Sequence, residues 1–391
     1  MHVAALLGAG SGSGDPWQNA ADSARRPVIF RTMPNITAEE SIRLRLLNFP
    51  LIIGVVYIHA FSVKIDHAGV TLGPEKINYL TDFVRILVSQ GIARLAVPLF
   101  FLMSGYFFFL GFTWSWRGFS QKLATRAKTL LLPYLFWTVF GVGIRFLGWS
   151  IPVVKAYFTG EGTPLTDYSI YDLTNAVLGL TRAPEAYHFW FIRDLMLLMI
   201  VSPLIVLLLR YVAMPFLGAM FLVWITAGWP IYTPDAVGVL FFSAGSYLAM
   251  KGNSLFLFDR YGKWFVLAYI PVLFADVVWY EAPFNLCLHR CGIVLGLVAI
   301  LFGSNMILVS ERLKNVLLWL SGSSFFVYAA HEPLLGIART LAFQFLPLNW
   351  PYTMLLIYLF VPLVVVTGLV GVHGILRSLM PGALRVVTGG R

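Results

Sequence analysis

The chain has 391 residues, 59% of them apolar and only 12% charged, where a soluble domain carries about 25% charged residues, so the composition points to an integral membrane protein. The net charge of +10 is not gathered into a basic block; lysines and arginines recur between apolar segments as juxtamembrane charges do, which argues against nucleic-acid binding. Two cysteines, Cys287 and Cys291, exclude a disulfide framework, and with only His289 between them they lack the ligand count of a zinc site, so no metal is expected.

In chain order, residues 1–36 contain no uninterrupted apolar core and no basic residue ahead of the short apolar patch, so they do not read as a signal peptide. The glycine/serine stretch "GAGSGSG" follows no strand and precedes no helix, which removes a nucleotide-binding loop. This segment is expected to be disordered, with Met33 a second candidate start. Ordered structure is expected from Thr37, where "TAEE" places Glu40 for a capping box. Ten apolar stretches of spanning length follow, near 47–63, 91–112, 129–149, 189–209, 212–232, 236–251, 264–280, 288–309, 315–340 and 352–376. The expected fold class is therefore an all-α polytopic membrane protein with about ten transmembrane helices. With the amino terminus inside, eighteen of the 28 lysines and arginines fall on the cytoplasmic side, which predicts both termini cytoplasmic and the loop 150–187 outward. No internal repeat of fixed period is present. The domain reading is a disordered segment 1–36, a membrane domain 37–380 and a short cytoplasmic tail 381–391.

Polar groups inside these spans follow a pattern. His59 lies eleven residues beyond Asn48, about 16 Å along a helix, which puts it in the outer half of the membrane. Arg94, Arg145, Arg193 with Asp194, Arg290 and Arg339, together with His188, Asp276, His331 and Glu332, map to outer depths as well. A single arginine can snorkel from a helix end, whereas imidazoles and carboxylates cannot reach far, so the set predicts a polar cavity open to the outer face. Arg193 and Asp194 can equally form a structural pair. Pro98, Ser202–Pro203 and "SGSSFFVYAAHEP" opening the ninth span predict breaks. Ser104, Gly105 and Tyr106 lie mid-membrane, where close helix packing through a small residue is the plainer reading. Tyr328 and His331 share one helix face.

The stretches "LLNFPLIIGVVYIHA", "ARLAVPLFFLMSGYFFF", "RAKTLLLPYLFW", "HFWFIRDLMLLMIVSPL" and "SSFFVYAAHEPLL" resemble, in order and spacing, the membrane-bound acyltransferases of family 3, which O-acylate bacterial cell-surface sugars. The resemblance covers about residues 41–376. It implies His59 as the residue essential for acyl transfer. Arg94, Ser104 and Tyr106 match a second element, and His331 matches a late histidine that follows a tyrosine, here Tyr328. These residues, with Arg193, are expected to stabilise an oxyanion or bind substrate. Where the family pattern has an arginine eleven residues before the histidine, this chain has Asn48; Arg45, one turn earlier, is the candidate to serve donor binding in its place. The resemblance further implies an acyl-coenzyme A donor, acetyl-coenzyme A above all, no bound cofactor, a glycan or lipid-linked sugar acceptor, and a multi-pass protein of the bacterial inner membrane. The chain ends too soon for the appended esterase-like domain of some members. The rival reading is a transporter or flippase whose cations and histidines line a path for an anionic or lipid-linked substrate; a structural scaffold is the third.

Overall fold

The computed structural model describes residues 36–67, 70–74, 76–111, 114–151 and 165–390; the expectation of disorder over 1–36 falls, but for Ile36, outside them. Among the described residues six helices are long and apolar enough to cross a membrane. They are α1 (Ala38–His59), the rod Tyr79–Phe109, the rod Trp116–Ser150, Asp259–Val278, α12 (Asn285–Ile307) and α15 (Thr353–Leu379). A pair bent by 63°, Tyr187–Ile200 and Ser202–Tyr211, makes a seventh if taken as one span. The protein is a multi-pass membrane protein of helical class.

All ten predicted apolar stretches are helical, but four differ from the straight span expected. The fourth breaks at Val201–Ser202 into α7 (Trp190–Ile200) and α8 (Ser202–Tyr211), where Pro203 supplies no amide hydrogen for the helical ladder. The fifth and sixth are short: α9 (Ala213–Ile225) has 13 residues and α10 (Ala236–Met250) has 15. The ninth is two helices, α13 (Glu311–Ser321) and α14 (Ser324–Phe345). Inside α14 the backbone leaves helical geometry at Glu332 (φ −102°, ψ 139°), because the ring of Pro333 disfavours a helical residue before it. A short antiparallel hairpin of β1 (Ile65–His67) and β2 (Val70–Leu72) follows α1. Residues 381–388, read as part of a tail, form α16 (Pro381–Thr388), held where Trp137 Nε1 donates to Val387 O (2.9 Å).

α1 is fixed along its length. The capping box is complete: the Thr37 hydroxyl accepts from Glu40 N (3.1 Å) and Glu40 accepts from Thr37 N (2.9 Å). One turn on, buried Arg43 donates to Asp259 (2.6 Å), Ser304 (3.0 Å) and Leu301 O (2.7 Å), and lies over the Phe256 ring. Every face of that guanidinium is used, so it acts as an anchor.

The next rod starts as α2 (Tyr79–Arg85), widens into a π-helical stretch over Ile86–Ile92, tightens to a 3-10 turn at Ala93–Leu95 and continues as α3 (Ala96–Phe109). Such bulges re-aim side chains and are common at functional sites; this one immediately precedes Arg94. Gly54 of α1 crosses here, its missing Cβ lying 3.3 Å from Ala93 Cβ. Further along, α3 and α10 pack backbone to backbone. A Cβ on Gly105 would fall 2.0 Å from Phe242 O, and one on Gly245 would fall 1.9 Å from Leu102 O, so neither position admits a side chain at this separation.

Candidate functional site

Three imidazole rings gather at the end of α1. The centroid of His59 is 5.2 Å from that of His331 and 6.3 Å from that of His188, and the latter two are 4.8 Å apart. His188 sits in the short 3-10 turn Tyr187–Phe189 that leads into α7, and His331 is the last residue before the break in α14.

The hydrogen bonds fix how each ring presents itself. His331 Nδ1 donates to Tyr328 O (2.7 Å) and His188 Nε2 donates to Ala329 O (3.3 Å), because a carbonyl can only accept. Their other nitrogens, His331 Nε2 and His188 Nδ1, are buried without a partner among the described residues. For His59, Nδ1 meets the Tyr187 hydroxyl at 3.0 Å, and that hydroxyl donates its one proton to Glu332 Oε1 (3.2 Å). It follows that Nδ1 of His59 carries the hydrogen and Nε2 keeps a free lone pair. Glu332, Tyr187 and His59 thus form a polarised chain ending in a basic nitrogen. The kink at Glu332 brings its carboxyl group to Tyr187.

The end of α1 is clamped around this ring. Arg339 donates to His59 O (3.4 Å) and to Ser62 O, Arg85 donates to Phe61 O (2.9 Å), and Ser89 donates to Tyr57 O (2.5 Å). These bonds satisfy the carbonyls that a helix end leaves unpaired.

Three chambers converge here. The first, of about 490 Å³, runs along α1 from Arg45, Asn48 and Arg126 to His59, Arg94, His188 and Tyr328. The second, of about 620 Å³, shares Ile58, Arg94, Val97 and Trp190 with the first. A third, of about 260 Å³, reaches Tyr187, His188 and Glu332 from beside Trp137 and Phe140. Arg94 stands where the first two meet, its Nε donating to Gln90 Oε1 (2.8 Å) within the π-helical stretch. Among the described residues no hydrogen bond is formed by its terminal guanidinium nitrogens.

Of the residues singled out in the sequence, the geometry brings together His59, Arg94, Tyr328 and His331, and it places Arg45 and Asn48 at the other mouth of the first chamber. The Tyr328 hydroxyl donates to His188 O (2.6 Å) and so holds one ring in place. Arg193 lies elsewhere. It pairs with Asp194 (2.9 Å), donates to Gly179 O (2.5 Å) and sits over Tyr232, which is the structural pairing that had been the other reading. Ser104 and Tyr106 line none of the three chambers; their element is the contact with α10 through Gly105. Sequence reasoning gave no role to Tyr187 or Arg126, and it counted Glu332 and Arg339 only among the polar groups of the expected outer cavity. Arg126 carried a signal as the first residue of "RAKTLLLPYLFW" and Glu332 as part of "SSFFVYAAHEPLL", whereas Tyr187 carried none. Among the described residues no group of three or more His, Cys, Asp or Glu is placed to hold a metal ion.

Comparison with known proteins agrees with this architecture. A family model described as an acyltransferase domain matches residues 44–371, a range that includes His59, Arg94, Tyr187 and His331. A curated relative, the succinoglycan biosynthesis protein ExoH of Rhizobium meliloti (strain 1021), is 28% identical over 378 residues, covering 90% of this chain and 93% of the relative. No solved structure matches the chain. The domain match extends over most of the sequence and takes in every residue of the imidazole cluster, and the chain belongs to the acyltransferase 3 family.

Proposed function

We propose that this protein transfers an acyl group, acetyl in the first instance, from acyl-coenzyme A to a hydroxyl of a cell-surface or exported glycan in the bacterial cytoplasmic membrane. The observation that carries the reading is the free Nε2 lone pair of His59 in the wall of the first chamber, which also holds Arg94, the residue where that chamber meets the second. A sugar hydroxyl is a weak nucleophile at neutral pH and needs a base at the moment of attack. His59 Nε2 takes the hydroxyl proton as the oxygen bonds to the thioester carbonyl. The Tyr187–Glu332 chain then supports the charge on the ring. Arg94 holds the oxyanion. When the carbon–sulfur bond breaks, the imidazolium returns the proton to the leaving thiolate, which balances the step.

The first chamber suits the donor. Its far mouth carries Arg45 and Arg126, cations that can meet the phosphates of coenzyme A, and Arg45 thereby supplies a charge that Asn48 lacks. The curated relative's name associates it with succinoglycan biosynthesis, which supports a polysaccharide as the acceptor here.

The test uses purified protein with radiolabelled acetyl-coenzyme A and unacylated surface glycan from cells lacking the protein. The wild type consumes the thioester only when acceptor is present, and His59→Ala loses the rate by about 10²–10⁴-fold while its thermal unfolding is unchanged. A transporter would leave the thioester intact, and that outcome discards the enzyme reading.

A further inference from the structure

The second chamber is the larger of the two that meet at Arg94, and apart from Arg94 the acyl-transfer scheme above uses none of its walls. We infer that it is the acceptor site, built for a neutral polyhydroxylated sugar; this rests on the acyl-transfer reading for its purpose and on the following observations for its chemistry.

Its walls combine aromatic faces with hydrogen-bonding groups of both kinds. Trp190, Trp224 and Tyr280 contribute rings, surfaces that suit the apolar C–H faces of a pyranose. Asp235 and Glu281 offset Arg94 and Arg290, so the formal charge of the lining cancels. A site for an anion would carry an excess of cations, and one for an alkyl chain would have no use for four charged groups. Hydroxyls, which both donate and accept, can satisfy such a mixed wall.

Two of the polar residues are prepared for a ligand. His289 Nδ1 donates to Asp276 Oδ2 (2.8 Å), and buried Asp276 also accepts from Asn285 Nδ2 (2.8 Å). The dyad holds the ring and leaves Nε2 to meet a hydroxyl. Arg290 lies over the Trp224 ring at 5.4 Å, and its buried Nη1 has no hydrogen-bond partner among the described residues. A buried donor left unmade is costly, and a ligand oxygen would complete it. The third chamber is a poorer host: it has less than half the volume, and its Arg145 and Glu185 already pair with each other (2.7 Å).

The experiment measures acceptor use and acceptor binding separately in purified full-length protein, with oligosaccharides cut from the unacylated surface glycan of cells lacking the protein as the probes. Glu281→Gln is chosen because Glu281 is exposed and the change is mild; His289→Gln and Arg290→Gln reach deeper, and each is checked by thermal unfolding. Each should raise the acceptor KM by about tenfold, the loss expected of one hydrogen bond to a charged group, with the KM for acetyl-coenzyme A unmoved. Phe140→Leu, in the third chamber, should change neither. Tryptophan fluorescence should report saccharide binding without donor, retained in His59→Ala and weakened in His289→Gln. Failure of the probes to bind the wild type overturns the assignment, as does an acceptor KM that ignores all three variants or shifts with Phe140→Leu. Binding that depends on His289 in a protein that transfers no acyl group would uphold this site and refute the acyl-transfer reading alone.

Discussion

A phenol has one proton to give, and that sets the direction of the chain through Tyr187: it donates to Glu332 and accepts from His59. Tyr187→Phe keeps the ring but removes both bonds. Hydrogen bonds to charged groups are worth about 1.5–3 kcal/mol, so kcat should fall about 10- to 100-fold with acceptor KM unchanged, read from initial rates. Glu332→Gln keeps an oxygen that can accept from Tyr187 but removes the charge that supports the imidazolium; its kcat should fall further than that of Glu332→Asp, by the same assay. At this scale the sequence was legible only where a residue contradicts its surroundings. His59 and Arg94 stand out because an imidazole and a guanidinium are expensive among apolar neighbours. Tyr187 does not, since tyrosine is ordinary near a membrane interface, and Glu332 reaches its partner only because the chain bends at Pro333.

Among the elements, the approach of α3 to α10 is the tightest contact, and it explains "MSGYFF" without chemistry at Ser104 or Tyr106. Gly105→Ala places a methyl group against the backbone of Phe242, and the helices must separate; this should cost about 1–3 kcal/mol, seen as a lower midpoint of thermal unfolding in detergent. Gly218→Ala in α9, whose added Cβ would meet nothing within 4 Å, should leave the midpoint unchanged or raise it slightly. Arg339→Ala removes the donor that caps the end of α1. The His59 ring loses its fixed carrier, and kcat should drop while the fold survives, as measured by activity against unfolding midpoint. Apolar length made the helices visible in the sequence. Their breaks were visible where proline or small residues occur, as at Ser202–Pro203. The π-helical stretch before Arg94 was not, because a shift from one hydrogen-bond register to the next has no composition of its own.

For the whole molecule, composition alone assigned the solvent, and the motif order pointed to the family that the domain match then showed. The convergence of three chambers was beyond the sequence, as it depends on pairings between residues more than a hundred positions apart, such as Tyr187 with His59. The proposed ten-span arrangement makes its own prediction. Reporter fusions after residues 251 and 388 should be active in the cytoplasm, and one in the 165–185 loop should be active outside; the reverse pattern at any of them would break the topology.

Ile58, Arg94, Val97 and Trp190 line both of the first two chambers and so stand between them. Under acyl transfer that partition makes the reaction vectorial. Donor and acceptor would then keep to separate chambers, with Arg94 common to both. Only the acyl fragment would pass from one chamber to the other, and the bulky carrier would never have to enter the acceptor's compartment.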